Sequence, residues 1–430
     1  MPADVANYPI HSQLLSNGMR VLVSPDKSVP IVAVNLWYDV GSRDERAGEH
    51  GWAHLFEHLM FSGSAHVASG EHLQLLQSLG GSVNATTWFD RTNYFDTVPV
   101  GALDLALWLE ADRLGTLADH LSTEAVDTQR DVVKEEKRQR YDNVPYGDVM
   151  PALVALVFGA DHPYGHTTIG SMADLDAATP ASAADFFRTH YRPDNAVLTL
   201  VGDINVRDGF RRAERAFGHL PGRNRRRRPA PKTLPPLTGL PRHTLSGKVP
   251  AEVSYLAWRL PARDTASFDA ADLALAVLGA GQTSRLHQRL VKERRLVAST
   301  AAQALPLIGG NSIGLLQLRA LPLRAVSDGI EATLEQVAKL AAEGPTEAEL
   351  ARAKAQFTRE WLTDLSRFDA RADLISTYAM LHDDPARVNR RLDEASQITA
   401  DQVQAATAEL LAPEARAQLD YHVEDDNATS

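Results

Sequence analysis

His54-Leu55-Phe56-Glu57-His58 is the stretch from which the rest of the chain can be read. On a helix, residues four apart share a face, so His54 and His58 project together. Glu57, three after His54, lies beside them. Two imidazoles at that spacing can share a zinc ion, each nitrogen about 2.0–2.1 Å from it. Glu57 then stands where it can take a proton from a water held there. The alternative is a buried helix whose histidines are satisfied by backbone or water, because Trp52, Leu55, Phe56, Leu59, Met60 and Phe61 make it apolar nearly all round. Burying two histidines and a glutamate among apolar neighbours is costly without partners. A metal removes that cost, and the zinc reading is preferred.

A catalytic zinc takes three protein ligands and keeps one open position. The third donor has to come from elsewhere, and the strongest candidate segment is Gln129-Arg130-Asp131-Val132-Val133-Lys134-Glu135-Glu136-Lys137-Arg138. Two glutamates compete. Glu136 is four after Val132 and three after Val133 and is expected to share an inward face with both, whereas Glu135 points about 100° away toward the charged side. Glu136 is the expected ligand.

Composition narrows the class. The chain has 430 residues, 44% hydrophobic and 23% charged, the profile of a soluble globular protein too long for one ordinary core. No run of about 18 apolar residues occurs, so no membrane span is expected. The start, Met1-Pro2-Ala3-Asp4-Val5, has neither a basic nor an apolar leader region. A cytoplasmic location is expected from the sequence as written, or a periplasmic one had a signal been removed. There is no cysteine, hence no disulfide and no thiolate ligand, which fits a reducing or an oxidising compartment. A net charge of −11 argues against nucleic acid as partner.

One boundary is legible. Residues 221–241, PGRNRRRRPAPKTLPPLTGLP, are Pro-rich, carry Arg225 to Arg228 and lack apolar periodicity. They read as a linker between an N-terminal metal-binding domain, 1–220, and a C-terminal non-metal domain, 242–430. In the first half, strands are expected at Arg20–Ser24, Ile31–Val40, Ser82–Thr87, Thr92–Val98 and Ala196–Val201. Helices are expected near Glu71–Leu79, at Leu103–Leu114 and from Ser122 or Thr123 to about Tyr141. The second half offers a strand at Val253–Leu260, helices through Ala271–Leu278 and from about Ser284, and an extended stretch Ser299–Leu321. Helices follow near Ser327–Ala342 and Thr346–Leu365. Thr123-Glu124-Ala125 and Thr346-Glu347-Ala348 open matching helices, which points to duplication. The acidic tail, Val423 to Ser430, reads as disordered.

Taken together, several blocks resemble the pitrilysin/insulinase (inverzincin) zinc peptidases, most closely the half-length subunits like those of the mitochondrial processing peptidase. The blocks are Leu15-Ser16-Asn17-Gly18-Met19-Arg20-Val21-Leu22, Gly41-Ser42-Arg43-Asp44-Glu45, Gly51-Trp52-Ala53 with the H-x-x-E-H, and Gly80-Gly81-Ser82-Val83-Asn84-Ala85. Glu110-Ala111-Asp112-Arg113, Arg130 to Glu136, Pro163-Tyr164-Gly165 with Ile169-Gly170, and Tyr191 to Ala196 leading to Val201-Gly202-Asp203 complete them. The resemblance covers nearly the whole chain. It implies an α+β fold of two homologous domains, each a mixed, largely antiparallel sheet packed with helices, and half of a clam-shell dimer. It implies a zinc endopeptidase with one Zn2+ per chain held by His54, His58 and Glu136, and Glu57 as the proton-transferring residue. It also implies a peptide substrate bound as an added β-strand along Ser82, Val83, Asn84, Ala85 and Thr86, where backbone hydrogen bonds hold any extended peptide.

One departure is instructive. Many family members carry, in the carboxyl half, an Arg and a Tyr seven apart that hold the substrate and its oxyanion. In register behind Gly279-Ala280-Gly281-Gln282-Thr283-Ser284-Arg285-Leu286, those positions are Val291 and Ala298, which have no side-chain donors. The expectation is therefore a catalytic subunit whose homologous partner supplies the pair, in a heterodimer or a homodimer. A non-catalytic structural or assembly subunit of the same fold, and a zinc hydrolase acting on something other than peptides, are the competing readings.

Overall fold

The computed structural model describes residues 7–222, 231–322 and 326–424. The Met1–Val5 start, the arginine run Arg225–Arg228 and residues 425–430 of the tail lie outside the described residues. Two sheets organise the rest. The first contains β1 (His11–Leu14), β2 (Arg20–Pro25), β3 (Ile31–Tyr38), β4 (Ser82–Thr87), β5 (Thr92–Pro99) and β6 (Ala196–Gly202), in the order β1-β2-β6-β3-β5-β4. The second contains β7 (Arg242–Gly247), β8 (Val253–Pro261), β9 (Val297–Leu305), β10 (Asn311–Ala320) and β11 (Arg416–Val423), in the order β7-β11-β8-β10-β9.

Both sheets follow one plan. β2 runs parallel to β6, and β6-β3-β5-β4 are antiparallel. β7 runs parallel to β11, and β11-β8-β10-β9 are antiparallel. Apart from the extra edge strand β1, the second half repeats the first strand for strand, so the chain is an α+β protein of two homologous sheets packed with helices. The sequence explains the central strands: β3, IVAVNLWY, is buried from Val32 to Tyr38, as expected of a strand covered on both faces. Ser299–Leu321 is not one extended stretch. It holds β9 and β10, which turn back through Gly309-Gly310, where Gly310 has φ +108°.

The helices are α1 (Trp52–Leu59), α2 (Glu71–Ser78), α3 (Leu103–His120), α4 (Thr123–Lys137), α5 (Val149–Phe158), α6 (Met172–Asp176), α7 (Pro180–His190), α8 (Val206–Phe217), α9 (Ala266–Gly279), α10 (Ser327–Glu343), α11 (Glu347–Ser366), α12 (Phe368–Leu381), α13 (Arg391–Ser396) and α14 (Ala400–Leu410). The chain forms two compact units that interleave along the sequence. One comprises Met1–Lys137, Thr167–Arg228 and Glu360–Arg391; the other comprises Arg138–His166, Pro229–Arg359 and Leu392–Ser430. Thus α12, late in the chain, packs on β3, β5 and β6, and α5, early in the chain, packs on β7, β8 and β11. Polar bonds lock each placement. Trp37 Nε1 donates to Asp373 Oδ1 of α12 at 2.7 Å. Arg259 Nε donates to the Val157 carbonyl of α5 at 2.8 Å. In the second unit, Leu256, Trp258 and Leu260 of β8 meet α9, α10 and α14 in a buried core.

Candidate metal centre and active site

The site grows from the start of α1. Its N-cap is Gly51, at φ +103°, a left-handed conformation that favours glycine. A Cβ there would stand 3.0 Å from the Ile169 carbonyl, so Gly51 also lets the Ile169-Gly170 backbone pass close by. The cap is supplied by a side chain six residues back in the chain. Glu45 accepts the Gly51 N–H through Oε2 at 2.9 Å and the Ala53 N–H through Oε1 at 2.8 Å. A carboxylate at a helix N-terminus satisfies orphan donors and faces the positive end of the dipole. Burial nevertheless pushes the Glu45 carboxyl well above its ordinary range, against the pull of the two N–H bonds.

One turn further, His54 and His58 stand with ring centroids 4.9 Å apart and planes at 83°. Glu136 of α4 reaches both. Its Oε2 lies 3.7 Å from His54 Nε2 and 3.4 Å from His58 Nε2. The three donor atoms lie within 4.8 Å of one another. The separations exceed the roughly 2.7–2.9 Å of a charge-assisted hydrogen bond. They approach the edge, about 3.3–3.6 Å, of a tetrahedron with 2.0–2.2 Å metal–ligand bonds. The donor set, two imidazoles and a carboxylate, therefore fits a zinc-type ion by chemistry and by spacing. α4 is held in place by Lys134 Nζ on Asp176 Oδ1 at 2.7 Å and by Arg130 Nη1 on the Ala178 carbonyl at 3.1 Å.

The α4 face that carries Glu136 is not the one its two valines were expected to mark. Val133 is buried, but Val132 is 45% exposed. Glu136 therefore does not lie on a helix face bounded by two buried valines. It is half-buried, and Glu135 is exposed.

Glu57 is mostly buried beside the cluster. Burial raises its carboxyl above the ordinary range. The Thr87 hydrogen bond and nearby His58 pull it down, and Glu136 pushes it up. Thr87 Oγ1 donates to Glu57 Oε2 at 2.6 Å. The stretch Ser82, Val83, Asn84, Ala85 and Thr86 lies on β4, which pairs with β5 on one side and ends the sheet on the other. Ser82 and Asn84 are exposed, Ala85 is buried, and Val83 and Thr86 are half-buried. The side chain of this strand that bonds Glu57 is that of Thr87, one residue beyond the expected stretch.

Behind α1 the Glu110-Ala111-Asp112-Arg113 block forms a buried pair. Arg113 Nε donates to Glu110 Oε2 at 3.1 Å, and its guanidinium lies over the Phe61 and Tyr94 rings at 4.8 and 4.4 Å. In the second unit, Val291 is half-buried against the core on a wide helical turn, His287–Glu293, and Ala298 is exposed on β9. Sequence reasoning missed Glu45 and Thr87. Glu45 stood inside a quoted block, and an acidic residue shortly before a helix start was the signal available. Nothing local distinguishes Thr87 from the strand around it.

This constellation, on a duplicated α+β fold, defines a class of metallopeptidase-like proteins, and the comparisons identify the family. The model for insulinase (peptidase family M16) matches residues 20–168, and that for the peptidase M16 inactive domain matches residues 177–357. The zinc protease PqqE of Helicobacter pylori is 30% identical over 382 residues, 87% of this chain and 84% of that protein. The probable mitochondrial-processing peptidase subunit beta of Schizosaccharomyces pombe is 26% identical, covering 92% of this chain and 88% of that one. A crystal structure of a protease from Helicobacter pylori superposes with a TM-score of 0.89 at 26% identity, covering 97% of this chain and 100% of the other. The chain belongs to the M16, or pitrilysin/insulinase, family of zinc proteases. All four residues His54, Glu57, His58 and Glu136 fall within the insulinase match, and the inactive-domain match covers the part without them.

Proposed function

We propose that the chain is the catalytic subunit of a zinc endopeptidase acting on extended peptides. The observation that carries this reading is Glu136 Oε2 lying 3.4 and 3.7 Å from two histidine nitrogens, with Glu57 on the same helix. His54, His58 and Glu136 hold one Zn2+. The chemistry supplied by bound zinc is Lewis acidity toward a water and toward the scissile carbonyl. Glu57, its proton affinity raised by burial, takes the proton from the attacking water and returns it to the leaving amine. The free edge of β4 from Ser82 to Thr86 holds the peptide backbone as an added strand.

The halves at 1–220 and 242–430, joined by 221–241, correspond to the metal and non-metal domains, except that residues 138–166 pack with the non-metal unit and residues 360–391 with the metal unit. Val291 and Ala298 offer no side-chain donor, so a homologous second subunit supplies an Arg/Tyr pair. The subunit name of the fission-yeast relative supports such pairing. Among the described residues no helix is long and apolar enough to cross a membrane. The test is zinc content together with hydrolysis of a quenched peptide library, for the chain alone and with any co-purified partner. Stoichiometric zinc with turnover abolished in Glu57→Gln is the expected result. Zinc-free protein without activity in either preparation would instead support a structural subunit.

A further inference from the structure

The carboxylate of Glu57 has a problem that α1 cannot solve. The last torsion of a glutamate is broad and roughly two-fold, so the helix sets where the side chain leaves but not which oxygen faces the histidines. That choice is made from β4. Thr87 Oγ1 donates to Glu57 Oε2 at 2.6 Å, a length typical of a hydroxyl on a carboxylate. Threonine suits the task because its branched Cβ restricts χ1.

Thr87 sits at a braced point of the sheet. It pairs with Thr92 across the β4–β5 hairpin, and Thr92 Oγ1 donates to the Val40 carbonyl at 2.8 Å with its side chain fully buried. One residue earlier, Arg91 Nη1 donates to the Thr86 carbonyl at 2.9 Å. The end of β4 is thus tied on two sides before it reaches Glu57.

We propose that Thr87 is a positioning residue for the peptidase reaction. It fixes Oε2 of Glu57 so that Oε1 is left to accept the proton of the attacking water. Because Thr87 belongs to the strand on which the peptide is added, it also sets the base in register with the bound backbone. This assignment rests on the reading of Glu57 as the proton-transferring group.

The experiment compares Thr87→Val, Thr87→Ala, Thr87→Ser and Glu57→Gln with the wild-type chain, in the assembly that shows turnover, by steady-state hydrolysis of one quenched peptide and by zinc content. A hydrogen bond to a charged group is strong enough that its loss in the transition state costs about tenfold to hundredfold in kcat. Thr87→Val and Thr87→Ala are expected to lose that much kcat while KM and zinc content stay within about twofold. Thr87→Ser, which keeps the hydroxyl, is expected to recover most of it. Wild-type kcat in Thr87→Val with an inactive Glu57→Gln overturns the Thr87 assignment alone. Loss of zinc in both deletion variants, or equal loss in Thr87→Ser, overturns it in favour of a structural role. Full turnover in Glu57→Gln removes the reading of Glu57 and this inference with it.

Discussion

Replacing Glu45 by alanine should damage the metal centre from outside it. The carboxylate receives two N–H groups of the first turn of α1, at 2.9 and 2.8 Å, and both bonds are buried. Each buried donor left without its acceptor costs about 1–3 kcal/mol. Removing both leaves Gly51 and Ala53 with buried donors, while the cost of burying the carboxylate is recovered. The balance is a loss of about 2–4 kcal/mol, above the roughly 1 kcal/mol of an exposed N-cap. Glu45→Gln keeps one acceptor oxygen and should lose about half as much. The assay is urea unfolding of chelator-treated protein followed by tryptophan fluorescence, then repeated at saturating zinc. His54 is three residues from the cap, so a frayed first turn must be reordered on binding, and zinc affinity should fall in the order wild type, Gln, Ala. An alanine variant within about 0.5 kcal/mol of wild type, the usual range for surface substitutions, would refute the claim that this carboxylate builds the helix start.

Two further results are expected. Glu136→Gln should weaken zinc binding by about a hundredfold or more, beyond what loss of an outer-shell partner costs, and Glu135→Gln should leave it unchanged, as read by competition with a chromophoric chelator. In the second unit Arg285 grips Glu349 through Nε and Nη2, each at 2.7 Å, and holds its carboxyl at about 2 instead of 4.5. A folded value below the unfolded one means the contribution is present above pH 4.5 and lost as pH falls toward 2. With allowance for solvent screening it is worth about 1–2 kcal/mol. Glu349→Gln should therefore be less stable than wild type at pH 7, and the gap in urea midpoint should close across that window.

The site was legible where chemistry repeats at short range. The four-residue spacing of His54 and His58 needs only a helix, and α1 delivers it. Strands β2 to β6 fall within two residues of their expected bounds, because β-branched and aromatic runs sit between turn signals such as Gly80-Gly81. Features set by distant segments were not legible. Val132 is exposed although apolar, and a helical pattern read alone cannot say which valine faces a neighbour. The 299–321 run was split by Gly309-Gly310, where a Cβ on Gly310 would stand 3.1 Å from the carbonyl of distant Pro231. Thr87 became visible only when the hairpin and α1 were seen side by side. The placement of α12 on β3, β5 and β6 leaves no local mark, since those strands all end by residue 202.

That placement has a consequence for the order in which the protein can be made. All residues of the histidine–glutamate cluster have been synthesised by residue 136, and the last strand of the first sheet by residue 202. The helix that packs on three strands of that sheet ends at residue 381. At about 5–20 residues per second, the roughly 180 intervening residues take about 10–35 s to emerge. Through that interval Trp37, Asn93 and Thr199 lack the α12 partners Asp373 and Ser376 that bind them in the finished fold. A nascent chain of this design carries its metal-binding side chains early and its finished sheet late, so a chaperone or a premature stop acts on a protein whose chemistry is already written but whose core is still open.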